Sequence, residues 1–376
     1  MIKFLTLFIS LQAVSLAAQP LSISKEYWKD QSFRKSFNGS YGTNARIEPT
    51  VTAVQRALNV RVQAAMQKGD REGALRILKT SAATNKSAAL LFNKGNILFE
   101  LGRMKKAVAA YQAALKFYPS FRRAHKNLGT LHLQDGKTKE STASLQKALQ
   151  LGDSSGSTMG MLGYCYLQQE KYASALQAYR MAQLTEPDVI DWKAGTAQCL
   201  AEIGNDSEAL ALLEEVIELR PNEASYQLLF VNVLLKLERE EEASAGLELL
   251  RRNEQLDTSS LALLAQLHTR SDALKLAKPI FTDLQKTLDA EQLSNYLQAV
   301  ESVIQQGEWQ YAEELLGAVS SDLKLSQKVK NKQSRLKAFV MIQQGTEGAE
   351  KLLREITSND PNDGDALMLL ADYEQA

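Results

Sequence analysis

Small, large apolar and turn-forming positions recur along this chain every 34 residues. Gly95, Gly129 and Gly163 stand 34 apart, and Ala197 continues the series. Twelve residues after each comes Ala107, Ser141, Ala175 or Ala209, and sixteen after each comes Tyr111, Leu145, Tyr179 or Leu213. Pro119, Pro187 and Pro221 close three of the four units, and Asp153 stands in the second. This pattern predicts two helices packed back to back in each unit. The small residue of the first helix is expected to face the small residue of the second, which lets the helices approach closely. Large apolar residues fill the flanking layers, Gly102, Gly136 and Gly204 allow the turn, and the proline cannot continue the second helix. A unit of this size buries its apolar face only against its neighbours, so the units must stack.

Two of these units read "SAALLFNKGNILFELGRMKKAVAAYQAALKFYPS" and "GSTMGMLGYCYLQQEKYASALQAYRMAQLTEPDV". Their spacing of small, aromatic, alanine and proline positions resembles the tetratricopeptide repeat (TPR) family, of the exported bacterial type. The resemblance implies an all-α fold, a right-handed superhelical α-solenoid of stacked antiparallel helix pairs. In the family frame, units start near Gln55, Ala88, Arg122, Gly156, Ile190 and Ala224. The last of these weakens, with Val231 replacing the small residue while Ala243 is kept.

An N-terminal array is therefore expected over 55–257. Residues 258–292 depart from the frame as an irregular helical pair, with a short turn and Pro279 inside the second helix. A kink or break is expected there. A C-terminal TPR-like array follows over 293–376, with Tyr296, Gly307, Ala312, Ala349 and Pro361 in register, and ends in a half repeat. Terminal repeats normally present a polar outer face, whereas Leu367, Leu369 and Leu370 leave an apolar one here.

The N-terminus carries a different signal. "MIKFLTLFISLQAVSLAAQP" has one lysine and then an apolar run from Phe4 to Ala18 broken only by Thr, Ser and Gln. Ser15 and Ala17 supply the small residues of a cleavage site, so residues 1–17 read as a signal peptide, too short for a comfortable membrane span, with an uncleaved anchor as the competing reading. No later stretch approaches 18 uninterrupted apolar residues. The mature chain is expected to have no transmembrane segment and to be exported, periplasmic or secreted. Residues 18–54 lack helical periodicity and read as an extended or partly disordered lead-in. That lead-in is unusually aromatic, holding Tyr27, Trp28, Phe33, Phe37 and Tyr41. Docking of this arm onto the solenoid or onto a partner is a reasonable expectation.

Composition narrows the function classes. Apolar residues make up 44% of 376 and charged residues 23%, which is ordinary for a folded chain. Only 7 prolines and 20 glycines are present, favouring helix over a loop-rich β fold. Basic and acidic residues number 44 each, so no chain-wide attraction to nucleic acid or anionic membrane is supported.

Candidate chemistry is sparse. His125 and His132 lie seven apart in "RRAHKNLGTLHL". Seven helical residues rise about 10.5 Å, too far for both rings to ligate one zinc whose nitrogens sit about 2 Å away. They read as packing residues. Gly136-Lys137-Thr138 mimics the tail of a phosphate loop, but the required upstream glycine is Leu131 and no strand precedes it. Cys165 and Cys199 stand at equivalent positions of neighbouring units. Packed helices lie roughly 8–10 Å apart and a disulfide needs Cα atoms under about 7 Å, so two separate buried thiols are expected. Glu238, Glu240, Glu241 and Glu242 surround a turn without a pocket, and the basic run around Lys330 reads as a solvated helix. No catalytic, cofactor-binding or metal-ligating residue is implied, and the chain reads as a non-enzyme with no cofactor.

What remains is the groove that the resemblance assigns to the first helices. It maps onto Asn96, Arg123, Lys126, Asn127, Thr130, Gln134, Tyr164, Gln168 and Gln198. Asn96 and Asn127 resemble part of the clamp that holds chaperone C-termini in some relatives. Phe92, Ser157 and Met161 replace its other residues, so the full clamp is absent. The resemblance implies a protein-protein interaction scaffold that takes a protein or peptide segment in the concave groove, with Arg123 and Lys126 favouring an acidic or C-terminal partner. Two alternatives stand beside it. "FYPSFRRAHKNLG" and "LGYCYLQ" are similar to exported repeat proteins of TonB-type energy-transducing envelope complexes. The aromatic arm, through Tyr27 and Trp28, is a candidate for glycan or cell-wall binding.

Overall fold

The structure is a computed structural model that describes residues 20–38, 48–290, 292–319 and 325–375. The expected signal peptide, residues 1–17, and Tyr41 of the arm lie outside the described residues. Among the described residues every regular element is helical. The chain divides into two compact units, one running from Gln19 to Pro221 and the other from Asn222 to Ala376. The division falls inside the stretch 55–257 that was expected as one array.

The first unit opens with two short arm helices, α1 (Lys25–Lys29) and α2 (Gln31–Asn38). Five helix pairs follow: α3 (Ala53–Gln67) with α4 (Arg71–Thr80), α5 (Ala88–Glu100) with α6 (Met104–Phe117), and α7 (Arg122–Gln134) with α8 (Thr138–Gln150). Then come α9 (Gly156–Leu167) with α10 (Tyr172–Thr185), and α11 (Ile190–Glu202) with α12 (Asp206–Leu219). The second unit holds α13 (Ala224–Lys236) with α14 (Glu240–Arg252), α15 (Thr258–Arg270) with α16 (Leu274–Thr287), and α17 (Leu293–Gln305) with α18 (Trp309–Gly317). It closes with α19 (Gln327–Gln344), α20 (Ala349–Asn359) and the single helix α21 (Gly364–Gln375). Each unit is an all-α stack of helix pairs. Helices begin at Ala88, Arg122, Gly156, Ile190 and Ala224, the positions that the 34-residue frame picks out.

The turn between paired helices is set by one left-handed residue. Gly69, Gly102, Gly136, Gly204 and Gly307 take that conformation, and Glu170, Glu238 and Asp272 occupy the same place in the remaining pairs of this series. Asp272 follows Glu238 by 34 residues, so the pair at 258–287 turns as its neighbours do. An aspartate where most other pairs use glycine hid this turn from the sequence. Pro279 lies inside α16 without ending it. The proline penalty of about 3 kcal/mol is outweighed by burying Ile280, Phe281 and Leu284 around it, each worth roughly 1.5–3 kcal/mol.

The small position of the first helix does more than its spacing to the next small residue suggests. A Cβ on Gly95 would lie 2.5 Å from the Tyr111 ring, on Gly129 2.8 Å from Leu145, and on Gly163 2.9 Å from Tyr179. The missing side chain thus admits the large residue sixteen positions later, and the small one twelve later also lies close, the Ser141 hydroxyl donating to the Gly129 carbonyl at 2.8 Å. Tyr111, Leu145, Tyr179 and Leu213 are all buried. At the other end of the chain, Leu369 of α21 is buried and Leu370 half-buried, leaving Leu367 exposed. Arg335 ties this helix down through Asp363 at 2.8 Å and Asp365 at 3.1 Å. Leu367 and Met368 remain exposed on this last helix, so its outer face keeps an apolar character.

Gly95→Ala is expected to lower stability in denaturant unfolding by about 1–2 kcal/mol, because overpacking at this ring exceeds the helix-propensity gain of about 1 kcal/mol. Gly317→Ala, where an added Cβ meets nothing within 4 Å, is expected to be neutral or to stabilise by up to about 1 kcal/mol.

Candidate functional site

The first helices α5, α7, α9 and α11 share one face of the first unit, and the arm lies across it. Local sequence makes the arm helical. The Ser24 hydroxyl accepts from the Tyr27 N–H at 3.2 Å and so caps α1. Asp30 does the same for α2, accepting the N–H groups of Ser32 and Phe33 at 2.7 and 3.1 Å. Side-chain oxygens at these positions satisfy the first amides of a helix. The lead-in was expected to be extended or partly disordered, because two helices of five and eight residues are too short to show a period. Such helices are not stable in isolation; packing against the solenoid supplies what length does not.

The arm begins over α11 and ends over α5. Gln198 Oε1 accepts the Leu21 N–H at 2.7 Å. Asp191 accepts the Ser24 N–H at 2.5 Å and the Ser24 hydroxyl at 3.0 Å. The Tyr27 ring packs 4.9 Å from that of Trp192. From there an unbroken line of rings runs through Phe33, 5.1 Å from Tyr27, and Phe37, 5.9 Å further, to Phe99 of α5 at 4.2 Å. Tyr27, Phe33 and Phe37 are buried. At the far end Asn127 Nδ2 donates to the Phe37 carbonyl at 2.9 Å. Beyond it, Arg123 Nη2 donates to Glu48 Oε2 at 2.7 Å while its guanidinium lies 4.9 Å over the Phe92 ring. A cavity of about 610 Å³ stays open beside α2, between Trp28, Arg34 and Lys35 of the arm and Phe99, Met104 and Gln134 of the repeats.

The groove residues named from the sequence divide into four groups. Asn127, Gln198 and Arg123 hold the arm directly. Asn96 stands behind them: it accepts the Tyr111 hydroxyl at 2.6 Å and Asn127 Nδ2 at 3.1 Å. Lys126, expected to face a ligand, is buried, and its Nζ donates to Ser155 Oγ at 3.0 Å. Burial pushes its pKa down, and the charges of Asp153 and Glu186 oppose that. Thr130 is likewise buried, donating to the Lys126 carbonyl at 3.0 Å and lying 3.5 Å from Met161 Sδ. These two pack between helices. Gln134 lines the cavity, Tyr164 is half-buried and Gln168 is exposed at the end of α9.

Asp191, Trp192 and the arm residues were not on that sequence map. The signals for them were the capping residues Ser24 and Asp30 and the four-residue step from Phe33 to Phe37. Burial pushes the Asp191 carboxyl up, while the donors of Ser24 pull it back. Burial, then the charges of Glu186 and Asp191, push the Tyr27 phenol far above its ordinary range.

The histidines of α7 sit apart from this groove chemistry. His125 Nε2 lies 2.8 Å from the Pro119 carbonyl. Among the described residues no three His, Cys, Asp or Glu side chains come together as a metal site. Cys165 and Cys199 are buried and unpaired, and burial pushes the Cys199 thiol up to about 12. No helix of the described residues is long and apolar enough to cross a membrane.

Burial depresses His125 and His132 below their ordinary 6.5. The folded state thus favours neutral rings, and the unfolded chain takes up protons first as pH falls. Stability is expected to be full above pH 6.5 and to decline below it. His125→Gln/His132→Gln is expected to flatten that decline in unfolding curves measured across the acid range.

Comparison with known proteins places the repeats. A family model described as "TPR repeat" matches residues 95–136, and one described as "Tetratricopeptide repeat" matches 126–188 and 161–224. Protein SULFUR DEFICIENCY-INDUCED 1 of Arabidopsis thaliana is 42% identical over 62 residues, 16% of this chain. Superkiller protein 3 of Schizosaccharomyces pombe is 27% identical over 125 residues, 33% of this chain. The chain spans only 20% and 9% of the lengths of these two relatives. YrrB, a TPR protein with an unusual peptide-binding site, is 25% identical over 43% of this chain and 84% of its own, with a TM-score of 0.41. With repeats matched across 95–224 and helix pairs in the same frame on either side, this chain is a tetratricopeptide repeat protein.

Proposed function

We propose that this protein is an exported, non-catalytic scaffold that binds a peptide or protein segment on the first-helix face of its N-terminal unit. Tetratricopeptide repeats generally serve as interaction scaffolds, and the apolar leader "MIKFLTLFISLQAVSLAAQP" supports export to the periplasm or beyond. One observation carries the groove reading: a polypeptide segment is already seated there. Gln198, Asp191 and Asn127 hold its backbone through Leu21, Ser24 and Phe37. Side chains that satisfy main-chain groups of a passing segment are the means by which repeat grooves take peptides. Arg123 adds a preference for a carboxylate, which Glu48 meets in this structure.

The glycan alternative loses support on the same grounds. Of the two rings it rests on, Tyr27 is buried against the repeats, which leaves only Trp28, half-buried at the cavity beside α2, to offer a ring face to a sugar.

A photo-crosslinking residue in place of Gln168, exposed at the edge of the groove, is expected to trap a specific protein in living cells. The same residue in place of Lys147, exposed on the second helix α8, is expected to trap none. Adducts from Lys147 alone, or fractionation of the chain with the cytoplasm, would overturn the reading.

A further inference from the structure

The seated arm shows what chemistry this face accepts. Its main-chain groups at Leu21, Ser24 and Phe37 are read by Gln198, Asp191 and Asn127. Its side-chain contribution is three buried rings, Tyr27, Phe33 and Phe37, followed by the Glu48 carboxylate on Arg123. Another segment with the same rings and a following acid satisfies every one of these contacts. The fit is also incomplete, since the cavity of about 610 Å³ beside α2 keeps the arm's edge open to solvent.

We propose that the arm is an exchangeable occupant, and that the partner is a short aromatic segment of the same chemistry that displaces it. This rests on the groove reading above. Because the arm belongs to the same chain, it competes at an effective concentration on the order of millimolar. An outside segment therefore binds weakly until the arm leaves, and the free and arm-released proteins differ in affinity without any change in the groove itself.

The test uses the full-length protein and a fluorescent peptide of residues 20–50, followed by anisotropy. The variant Tyr27→Ala/Phe33→Ala/Phe37→Ala empties the groove without touching the repeats. It is expected to bind the peptide at least ten times more tightly than wild type does, while a peptide carrying the same three alanines binds neither protein. Equal affinities for the two proteins, or no binding to a variant that keeps its helical circular dichroism, would overturn the proposal. So would a wild-type dimer whose copies exchange arms, because the occupant would then be a second copy.

Should the triple variant lose its fold, Ser24→Pro serves instead. Ser24 has φ of −59°, which proline adopts, and the change removes both donors to Asp191. It is expected to tighten peptide binding at least threefold, and an unchanged affinity counts against the proposal. A crosslinked cellular partner with no peptide binding would remove this inference alone. Peptide binding with no crosslinked partner would remove only the groove's cellular role.

Discussion

The structure of the first unit depends on the contact between Gly95 and the Tyr111 ring. Only a residue without a Cβ lets that ring sit against α5. Once there, the Tyr111 hydroxyl meets Asn96 at 2.6 Å, and Asn127 Nδ2 stands 3.3 Å from it. Asn127 in turn holds the Phe37 carbonyl of the arm. A packing requirement inside one helix pair is thereby passed, through three polar side chains, to the face on which a segment is seated. Buried polar networks of this kind are costly when incomplete and rigid when satisfied. This one is satisfied partly by the arm.

Much of the fold is legible in the sequence, because the 34-residue period is a direct consequence of stacking identical units. Starts of helices from Ala88 to Ala224 follow from it without further information. The readings that miss do so for local reasons. Asp272 takes a left-handed turn that most other pairs assign to glycine, so a regular pair looked irregular. Pro279 sits among enough buried apolar neighbours to be carried within its helix. The small position was matched only to the small residue twelve later, because spacing alone does not show that the ring or leucine sixteen later also presses on it.

The groove was legible in a weaker sense. Family positions picked out Arg123, Asn127 and Gln198, which hold the chain's own N-terminal arm, and Asn96 behind them. The same positions picked out Lys126 and Thr130, which are buried between helices. A position within a repeat fixes the direction of a side chain but not what its neighbours offer it. Ser155 and Asp153 at the start of α9 draw Lys126 inward. The arm's aromatics were visible from composition, yet their seat depends on Trp192 and Asp191, whose role only the folded chain reveals.

The account stands on the arm being seated on the first-helix face of the free protein. Amide hydrogen exchange, resolved at Leu21 and Ser24, tests this most directly. Both amides donate to groove side chains, Gln198 and Asp191, and neither lies inside a helix of the arm. Protection in their case therefore reports docking and not local helix. The account predicts exchange far slower than in the isolated peptide of residues 20–50. Exchange at the rate of that peptide would contradict it.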